Sequence, residues 1–394
     1  MAQSDNQSSA FERRIGSYSE GRPGPLLIVI GGVHGNEPAG VFAARRVLAR
    51  LAKERSPIAG RFVAFAGNLG ALPRRHRFLE ADLNRIWQEE EAVATRREVR
   101  AGGSLEAGQR DELLDAVAAE IDSGANRRRG AIILDLHSTS AHGSPFCVMA
   151  DTLRNRKLAG AIGMPVILGL EETISGTMIE YFCELGHVAI CLEGGQHEEE
   201  ATVDNHESAI WIALVATGLL RAGDVPDLAE HRRRLRDAVG GVPGFVEVTH
   251  RHGIPAGHRY EMLPGFTNFQ PIEKDRLLAH EGNGVMGEVR APSSGLLLMP
   301  LYQPQGDEGY FMTRPVRRMW LRLSRLLRGL GLEWLLLLLP GVRRDPNRRR
   351  TIRVDRRVAR RVAPQLFHLF GYRRCRPEGE FLLFSRRVEG PADV

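Results

Sequence analysis

Apolar runs alternate with amphipathic stretches through the first half of the chain. The segments 26–30 (LLIVI), 61–66 (RFVAFA) and 131–136 (AIILDL) are typical of buried strands. The segment 39–54 (AGVFAARRVLARLAKE) carries apolar residues at helical spacing and predicts an α-helix. Because such strands alternate with helices, the pattern predicts an α/β fold built on a layered sheet.

The pattern changes after residue 235. From 244 to 313, short β-type runs are separated by Gly, Pro and Asn, which indicates a small antiparallel β-domain or barrel. Beyond it, residues 316–340 mix Arg with Leu and Trp at helical spacing. We therefore predict a polar lead-in over 1–22, an α/β domain over 23–235, a smaller β-domain over 236–315 and an Arg-rich, helical extension over 316–394.

Charge is unevenly distributed along the chain. The whole chain has a net charge of +6, but Arg314–Val394 contains 21 Arg against 7 acidic residues and carries +14. The remaining residues therefore sum to −8. An acidic body and a basic extension attract each other, so we expect the extension to dock on the body or on a second subunit.

The sequence favours a cytoplasmic location. Its cysteines show neither CxxC nor secreted-domain spacing, which favours a reducing compartment over a disulfide framework. The first residues, MAQSDNQSSAFERR, lack the apolar core of a signal peptide. No apolar run reaches the length needed to span a bilayer, and the longest candidate stops at Pro340.

The first candidate functional residues follow the strand at 26–30. The sequence GGVHGNEP delivers His34 and Glu37 three positions apart, directly after a glycine turn. A strand that ends in such a turn presents side chains at the rim of a sheet, where open α/β folds bind ligands. His34 and Glu37 can converge there as two of the three protein ligands of a catalytic zinc site. A solvated His and Glu at a strand–turn–helix connection is the alternative.

Two later strands end in similar residues. The sequence DLH places Asp135 and His137 on one face of a strand, with His137 at the rim as a third candidate ligand. Asp135 suits the acceptor of a ligating histidine's ring N–H. Glu193 ends the run HVAICLE before two glycines, where a carboxylate can act on a zinc-bound water; a rim carboxylate in an ion pair is the alternative.

A third group of polar residues lies between the second and third strands. Arg77 offers a guanidinium that could stabilise the negative charge that builds on a carbonyl oxygen during amide or ester hydrolysis. Asn84 and Arg85 offer an amide beside a guanidinium, the pair that best holds a substrate carboxylate. Arg74 and Arg75 are close competitors for these roles.

Four motifs in order give the chain a family resemblance. They are GGVHGNE at 31–37, Asn68 and Arg77 followed by DLNR at 82–85, DLHST at 135–139, and LEGG at 192–195. Together they resemble the succinylglutamate desuccinylase/aspartoacylase family over roughly residues 25–220. The downstream GEVRAPSSGLLLMPLYQPQGDEGYFM is similar to the smaller C-terminal β-domain of bacterial members.

The resemblance implies a fold and a reaction. The fold would be a three-layer, zinc-carboxypeptidase-like α/β domain with a mixed sheet, and the reaction the hydrolysis of small carboxylate-bearing N-acyl amino acids. It implies one zinc ion per chain, held by His34, Glu37 and His137. Further roles follow from the same match: Glu193 activates the water and protonates the leaving amine, Arg77 polarises the scissile carbonyl, Asn84 and Arg85 hold the substrate carboxylate, and Tyr310 contacts substrate.

The chain departs from the family pattern at two places. Aspartoacylases that resemble it carry an additional Arg shortly before the catalytic Glu, whereas YFCELGHVAICLE has none before Glu193. The resemblance therefore does not imply N-acetylaspartate as the substrate. The Arg-rich region after 315 also lies outside the pattern, and all seven residues matched to catalytic or binding roles by these motifs precede residue 200. We therefore expect 316–394 to be dispensable for the chemistry.

Two other functions fit the sequence. One is a zinc carboxypeptidase or peptide amidase of the same fold. The other is a protein that acts through 316–394 as a homo-oligomer contact or on a membrane surface, because the Arg/Leu/Trp stretch at 317–340 suits an amphipathic helix on anionic lipid. The Arg-rich stretch at 343–361 could contact phosphates, but no motif of specific nucleic-acid recognition accompanies it.

Overall fold

A computed structural model describes residues 11–87, 103–123, 130–348, 350–359 and 364–387 of the chain. Its strands are β1 Arg14–Tyr18, β2 Leu26–Gly31, β3 Arg61–Ala66, β4 Ile132–Thr139, β5 Phe146–Met149, β6 Val166–Leu168, β7 Val188–Gln196, β8 Phe245–Gly253, β9 Arg259–Met262, β10 Pro271–Ile272, β11 Leu277–Gly282, β12 Gly287–Arg290, β13 Gly295–Leu298, β14 Glu308–Pro315, β15 Val342–Arg344, β16 Thr351–Asp355, β17 Tyr372–Glu378 and β18 Phe381–Arg386. Its α-helices are α1 Ala39–Glu54, α2 Leu105–Asp122, α3 Leu153–Ile162, α4 Leu170–Thr173, α5 Met178–Glu184, α6 Glu200–Ala216, α7 Leu228–Val239, α8 Arg318–Gly329, α9 Arg356–Ala359 and α10 Pro364–Leu369. Among these described helices, none is both long and apolar enough to cross a membrane.

The main sheet is mixed. Its strand order is β1-β3-β2-β4-β7-β5-β6-β8-β14-β13-β10. Strands β3, β2, β4 and β7 run parallel to one another, whereas β5 pairs antiparallel with β7. The prediction of an α/β fold with a mixed sheet is therefore confirmed.

Each face of the central strands has its own core, because successive side chains point to opposite faces. On one face, Leu27 and Val29 belong to a buried cluster with residues of α1, α3 and α6. On the other face, Leu26 and Ile28 belong to a second cluster with residues of α2 and α5. Helices thus cover both faces of the sheet, and the arrangement has three layers.

The β-rich region at 236–315 shares the main sheet with the α/β part. Strand β8 pairs in parallel with β6, and β14 and β13 extend the sheet from there. A separate sheet, β12-β11-β9, packs beside it over a third core cluster that includes Met262, Leu278 and Tyr310. The sheet thus runs across the predicted boundary at 236 without a break.

Part of the predicted polar lead-in is an edge strand. Strand β1 pairs antiparallel with β3, and Ile15 and Tyr18 pack against the core cluster under α1. Residues 1–10 of the predicted lead-in lie outside the described residues.

The Arg-rich extension is helical only in its first part. Helix α8 and a 3-10 segment, Leu332–Leu338, are followed by an antiparallel sheet in the order β15-β16-β18-β17. The prediction of a helical extension is wrong for this sheet, because Ile352 and Val354 alternate with polar residues and pack on Phe367 and Phe384. Residues 349, 360–363 and 388–394 of the extension lie outside the described residues.

Candidate active site

The ends of two neighbouring strands bring His34 and His137 together. Strands β2 and β4 run parallel, with Ile30 opposite Asp135. The turn after β2 therefore lies beside the last residues of β4, at the carboxyl edge of the sheet. The two imidazole centroids are 4.9 Å apart, and both side chains are buried.

Gly35 allows the turn that carries His34 to approach a neighbouring loop. A Cβ atom at Gly35 would lie 2.3 Å from the carbonyl carbon of Ala71 and 2.5 Å from the carbonyl oxygen of His76. Only glycine fits at that separation. The Gly35 N–H donates to the Arg77 carbonyl oxygen at 3.1 Å, which fixes the turn against the segment that carries Arg77.

Glu37 lies between the two imidazoles. Its Oε1 atom is 3.0 Å from His34 Nδ1, and its Oε2 atom is 3.0 Å from His137 Nδ1. The Ser138 N–H also donates to Oε2, at 2.9 Å. One ligand atom from each of His34, Glu37 and His137 lies within 4.8 Å of the other two. The structure thus brings the three predicted ligands to one point.

The second nitrogen of each imidazole faces a carboxylate. His34 Nε2 is 3.0 Å from Asp82 Oδ1, and His137 Nε2 is 2.9 Å from Asp135 Oδ2. The Asp82 contact fixes the His34 ring so that its Nδ1 atom faces the shared point, as in zinc sites whose histidines donate to carboxylates, whereas Asp135 lies at ion-pair distance from His137. Two imidazole nitrogens and one carboxylate are a donor set that zinc accepts, so the residues fit the metal.

Charges in this cluster oppose the effect of burial. Burial alone would raise the pKa of Glu37, but the imidazoles of His34 and His137 hold it well below its ordinary value. Burial alone would lower the pKa of His137, but Asp135 and Glu37 hold it well above its ordinary value. A cation bound at this point must displace the proton on His137, which makes its binding weaker at low pH.

A second group of potential ligands is less suited to a metal. Atoms of Asp135, His137 and Cys191 also lie within 4.8 Å of one another. Burial raises the pKa of the Cys191 thiol well above its ordinary value, so the thiol stays protonated near neutral pH. Because the thiolate is the form that binds metals, the group around Glu37 is the better metal site.

Glu193 lies beside the candidate ligands. Strand β7 pairs with β4 so that Glu193 is opposite His137, and both line the same cavity. Burial raises the pKa of the Glu193 carboxyl to about 8, although nearby His137 acts in the opposite direction. In the described part of the chain, Glu193 Oε2 has no hydrogen-bond partner. Glu193 therefore carries a buried oxygen without a partner and lines the cavity that the candidate ligands share.

Arg77 enters the cavity from the segment after β3. Its Nη2 and Nε atoms donate to Asp82 Oδ2 at 3.1 and 3.2 Å, and Nη1 is 3.4 Å from Glu37 Oε1. The guanidinium thus lies between the residue that orients His34 and the central carboxylate. A carbonyl beside the candidate metal point would be within reach of this cation.

Asn84 and Arg85 form a second polar wall of the cavity. Asn84 Oδ1 accepts from the Met178 N–H at 2.8 Å, which directs the opposite end of the amide away from the backbone of α5. Arg85 Nη2 donates to Glu308 Oε2 at 3.0 Å. The predicted carboxylate-binding pair is therefore in place, with an internal carboxylate already on its arginine.

Comparisons with known proteins agree with this geometry. Residues 23–215 match the model of the succinylglutamate desuccinylase/aspartoacylase catalytic domain. They belong to that family. The matched range contains all three candidate ligands and Glu193, together with Arg77 and the Asn84–Arg85 pair. The family resemblance predicted from the sequence is confirmed, and the family is one of hydrolases.

Solved structures share the fold of this chain. A succinylglutamate desuccinylase from Silicibacter superposes with a TM-score of 0.53 at 16% identity, covering 74% of this chain and 86% of its own. The product-bound ectoine utilization protein EutE from Ruegeria pomeroyi gives 0.53 at 18%, with the same coverage. An aspartoacylase family protein from Mesorhizobium loti gives 0.53 at 19%, covering 77% and 88%. At these identities the similarity concerns the fold.

Tyr310 is the predicted site residue that the structure does not bring to the cavity. Its neighbour Phe311 lines the cavity, and successive residues of a strand point to opposite faces. Tyr310 instead belongs to the core under the small sheet, where its ring stacks on His252 with 5.1 Å between centroids. A contact with substrate is therefore not part of the function that we propose below.

Two residues of the site were not predicted from the sequence. Asp82 begins the DLNR motif, but no local spacing indicates that it reaches His34, which is 48 residues away in the chain. Glu308 is 223 residues away from Arg85, and only the pairing of β14 with β8 brings it to the cavity. Both contacts depend on tertiary structure that a linear pattern does not show.

A polar network closes the site on the side of the β-rich region. Ser138 Oγ is 2.8 Å from His197 Nδ1, and His197 Nε2 is 3.0 Å from Gln303 Oε1. The Asn36 side-chain amide also donates to Gln303, at 2.8 Å. The loop before β14 is thus tied to the turn that presents His34 and Glu37. His197 belongs to this network.

Proposed function

We propose that this protein is a zinc-dependent hydrolase that cleaves the amide or ester bond of a small, carboxylate-bearing N-acyl amino acid or a closely similar molecule. The observation that carries the proposal is the convergence of His34, Glu37 and His137 on one point, with Glu193 beside them on the next strand. Family membership over 23–215 supports the same reaction class.

Zinc would be held by His34 Nδ1, Glu37 and His137 Nδ1. When bound, it would lower the pKa of a water molecule and polarise the scissile carbonyl. Glu193 would take a proton from the attacking water and pass it to the leaving nitrogen, because it lines the same cavity and its pKa is raised by burial. Asp82 and Asp135 would keep the two imidazoles in the required orientation.

The other polar residues would position the substrate. Arg77 would stabilise the negative charge that develops on the carbonyl oxygen. Asn84 and Arg85 would hold a carboxylate, with the guanidinium turning from Glu308 toward the substrate. Apolar residues, including Val148 and Ile174, also line the cavity, which suits a short acyl or side chain.

A panel of N-acyl amino acids, N-blocked dipeptides and small esters, offered to zinc-loaded protein, tests the proposal. We expect turnover of at least one carboxylate-bearing N-acyl amino acid that disappears in Glu193→Gln. Turnover of the dipeptides alone would favour a zinc carboxypeptidase or peptide amidase of the same fold. A zinc-loaded wild type that turns over none of the panel would contradict the proposal.

A second role is favoured by the surface of the extension. Large apolar side chains are exposed on α8 and the 3-10 segment after it: Met319, Trp320, Leu326, Leu330, Trp334 and Leu338. Arg318, Arg322 and Arg325 are interspersed with them, a composition that suits an anionic lipid surface. Co-sedimentation with vesicles of anionic and of neutral lipid, for the wild type and Trp320→Ala/Leu326→Ala, tests this contact. Equal binding of both proteins would exclude it.

A further inference from the structure

Residues 170–184 form one wall of the candidate active site. Helices α4 and α5 and the loop between them supply Leu170, Glu171, Ile174, Thr177 and Ile179 to the cavity lining. This wall packs against the Arg-rich extension, and strand β17 of the extension contacts α4. The wall is thus in contact with the cavity on one side and with the extension on the other.

The loop of this wall fixes the pair that we assign to the substrate carboxylate. The Met178 N–H donates to Asn84 Oδ1 at 2.8 Å, and the Trp87 N–H donates to the Gly176 carbonyl oxygen at 3.1 Å. Gly176 has a φ of +74°, and a Cβ atom there would lie 2.1 Å from the Arg85 carbonyl oxygen. Any movement of the loop must therefore move Asn84 and Arg85.

Glu180 links the loop at 174–178 to the extension. Its Oε2 atom accepts from the Gly176 N–H at 2.9 Å. Its Oε1 atom is 2.6 Å from Arg374 Nη2 and 3.3 Å from Arg387 Nη2, and its side chain is 6% exposed. A buried carboxylate keeps one geometry only when cations and donors satisfy both of its oxygens. Arg374 and Arg387 supply that charge, and both belong to the extension.

Arg387 ties further carboxylates of the wall together. It pairs with Glu171, whose side chain is fully buried and lines the cavity, and its Nη1 atom is 2.6 Å from Glu184 Oε1. Arg374 Nη1 is 2.9 Å from the same oxygen of Glu184. Arg387 thus bridges α4 and α5 across the loop that contacts Asn84 and Arg85, and Arg374 adds a second cation on α5.

Docking of the extension does not depend on these two arginines alone. Arg328 and Arg373 pair with buried Asp151, and Arg373 also pairs with Glu247 at 3.1 Å. These contacts hold the extension to the body through Asp151 and Glu247, which lie outside residues 170–184. The loss of Arg374 and Arg387 can therefore be studied in a protein whose extension remains docked.

We propose that Arg374 and Arg387 are positioning residues for substrate binding, which act on Asn84 and Arg85 through Glu180 and the loop at 174–178. The inference rests on the proposed function for the identity of the substrate group, a carboxylate. It replaces the expectation that 316–394 is dispensable for the chemistry. The extension would complete the substrate site of the hydrolase domain and leave the metal point untouched.

The full-length Arg374→Met/Arg387→Met variant tests the proposal, because methionine keeps an apolar side chain and removes the charge. Arg353→Met is the matched control, since Arg353 pairs with Asp345 and Glu378 within the extension's own sheet. Two quantities are measured in each zinc-loaded protein: amide hydrogen exchange of peptides covering 174–178, with 27–31 as an internal reference, and the steady-state constants on whichever carboxylate-bearing substrate the wild type hydrolyses.

We expect exchange at 174–178 to rise roughly fivefold or more in the double variant, with no change at 27–31. We expect KM to rise about tenfold while kcat stays within roughly threefold, because ground-state and transition-state binding of the carboxylate weaken together. Arg353→Met should change neither quantity, and an Arg374→Lys/Arg387→Lys variant should recover part of the lost affinity, because lysine restores the charge without the forked geometry.

Three results distinguish a failure of this positioning role from a failure of the proposed hydrolase function. Unchanged exchange at 174–178 would overturn the proposal, whatever the kinetics. Faster exchange with an unchanged KM would show that the wall moves without affecting the substrate, which also overturns it. If the wild type hydrolyses no substrate of the panel, the proposed function fails, and the exchange result still decides whether the extension holds the wall.

Discussion

His34 Nε2 lies 3.0 Å from Asp82 Oδ1, on the side of the imidazole opposite Glu37. The contact selects the ring orientation in which Nδ1 faces the candidate metal point. Asp82 also accepts from Arg77 at 3.1 Å, so one carboxylate links a candidate ligand to the residue that would polarise the substrate. His137 also has a carboxylate beside its Nε2 atom, since Asp135 Oδ2 lies 2.9 Å from it.

Asp82→Asn should weaken zinc binding about 10–100-fold, the size typical of losing a partner that orients a ligating histidine. Competition with a chromophoric chelator measures the affinity. Asp204→Asn is the control, because Asp204 pairs with Arg46 and Arg234 on the surface. A zinc affinity equal to that of the wild type would mean that Asp82 orients Arg77 but does not orient His34 for metal binding.

Glu193→Gln should retain zinc and lose about 10²–10⁴-fold of kcat, since the amide is nearly isosteric but cannot take up the proton. Zinc content and turnover are measured on the same preparation. Glu199→Gln should leave both unchanged, because Glu199 pairs with His142 on the exposed side of the site. A metal-loaded Glu193→Gln with near wild-type turnover would assign the proton transfer to another residue.

Arg85→Met and Glu308→Gln should change KM in opposite directions. Loss of Arg85 removes the cation that binds the substrate carboxylate and should raise KM. Loss of charge at Glu308 frees that cation from its internal partner, 3.0 Å away, and should lower KM. Steady-state kinetics on a carboxylate-bearing substrate and its uncharged amide distinguish the effects. If both variants raise KM equally on both substrates, the Arg85–Glu308 pair serves structure rather than binding.

Acid should loosen the extension through Glu247. Burial alone would raise its pKa, but His368, Arg373 and Arg314 lower it from the ordinary 4.5 to about 2. A carboxyl whose folded pKa is depressed stabilises the fold above its unfolded pKa, and that stability is lost as pH falls from about 4.5 toward 2. Melting temperatures of the wild type and Glu247→Gln should therefore converge over this range. Curves that stay parallel, as expected for exposed Glu288→Gln, would contradict this role.

The convergence of His34, Glu37 and His137 could be predicted from the sequence because its signals are local. Glycines after β2 and an apolar run before His137 place both histidines at the rim of one sheet, and the three-residue spacing from His34 brings Glu37 to the same turn. The order of the motifs then identified the family. The central sheet followed from the same long apolar runs, which are buried on both faces.

Other features of the structure could not be predicted from the sequence. They depend on tertiary contacts, or the amino-acid composition conceals their pattern. In β16, Ile352 and Val354 alternate with Arg353, but the abundance of arginine in the extension conceals that strand pattern. The prediction of Tyr310 as a cavity residue missed by one position, because β14 directs the Phe311 side chain toward the cavity. The contacts of Arg387 with the 170–184 wall join residues more than 200 positions apart, as its separations from Glu171 and Glu180 show.

The most direct test of the central claim is the zinc content of protein purified without chelator under zinc-sufficient conditions, measured by elemental analysis beside a His34→Ala/His137→Ala variant. The account predicts about one equivalent of zinc per chain in the wild type and close to none in the variant, because the three ligands form one mononuclear site. Less than about half an equivalent in the wild type, or equal amounts in both proteins, would contradict it.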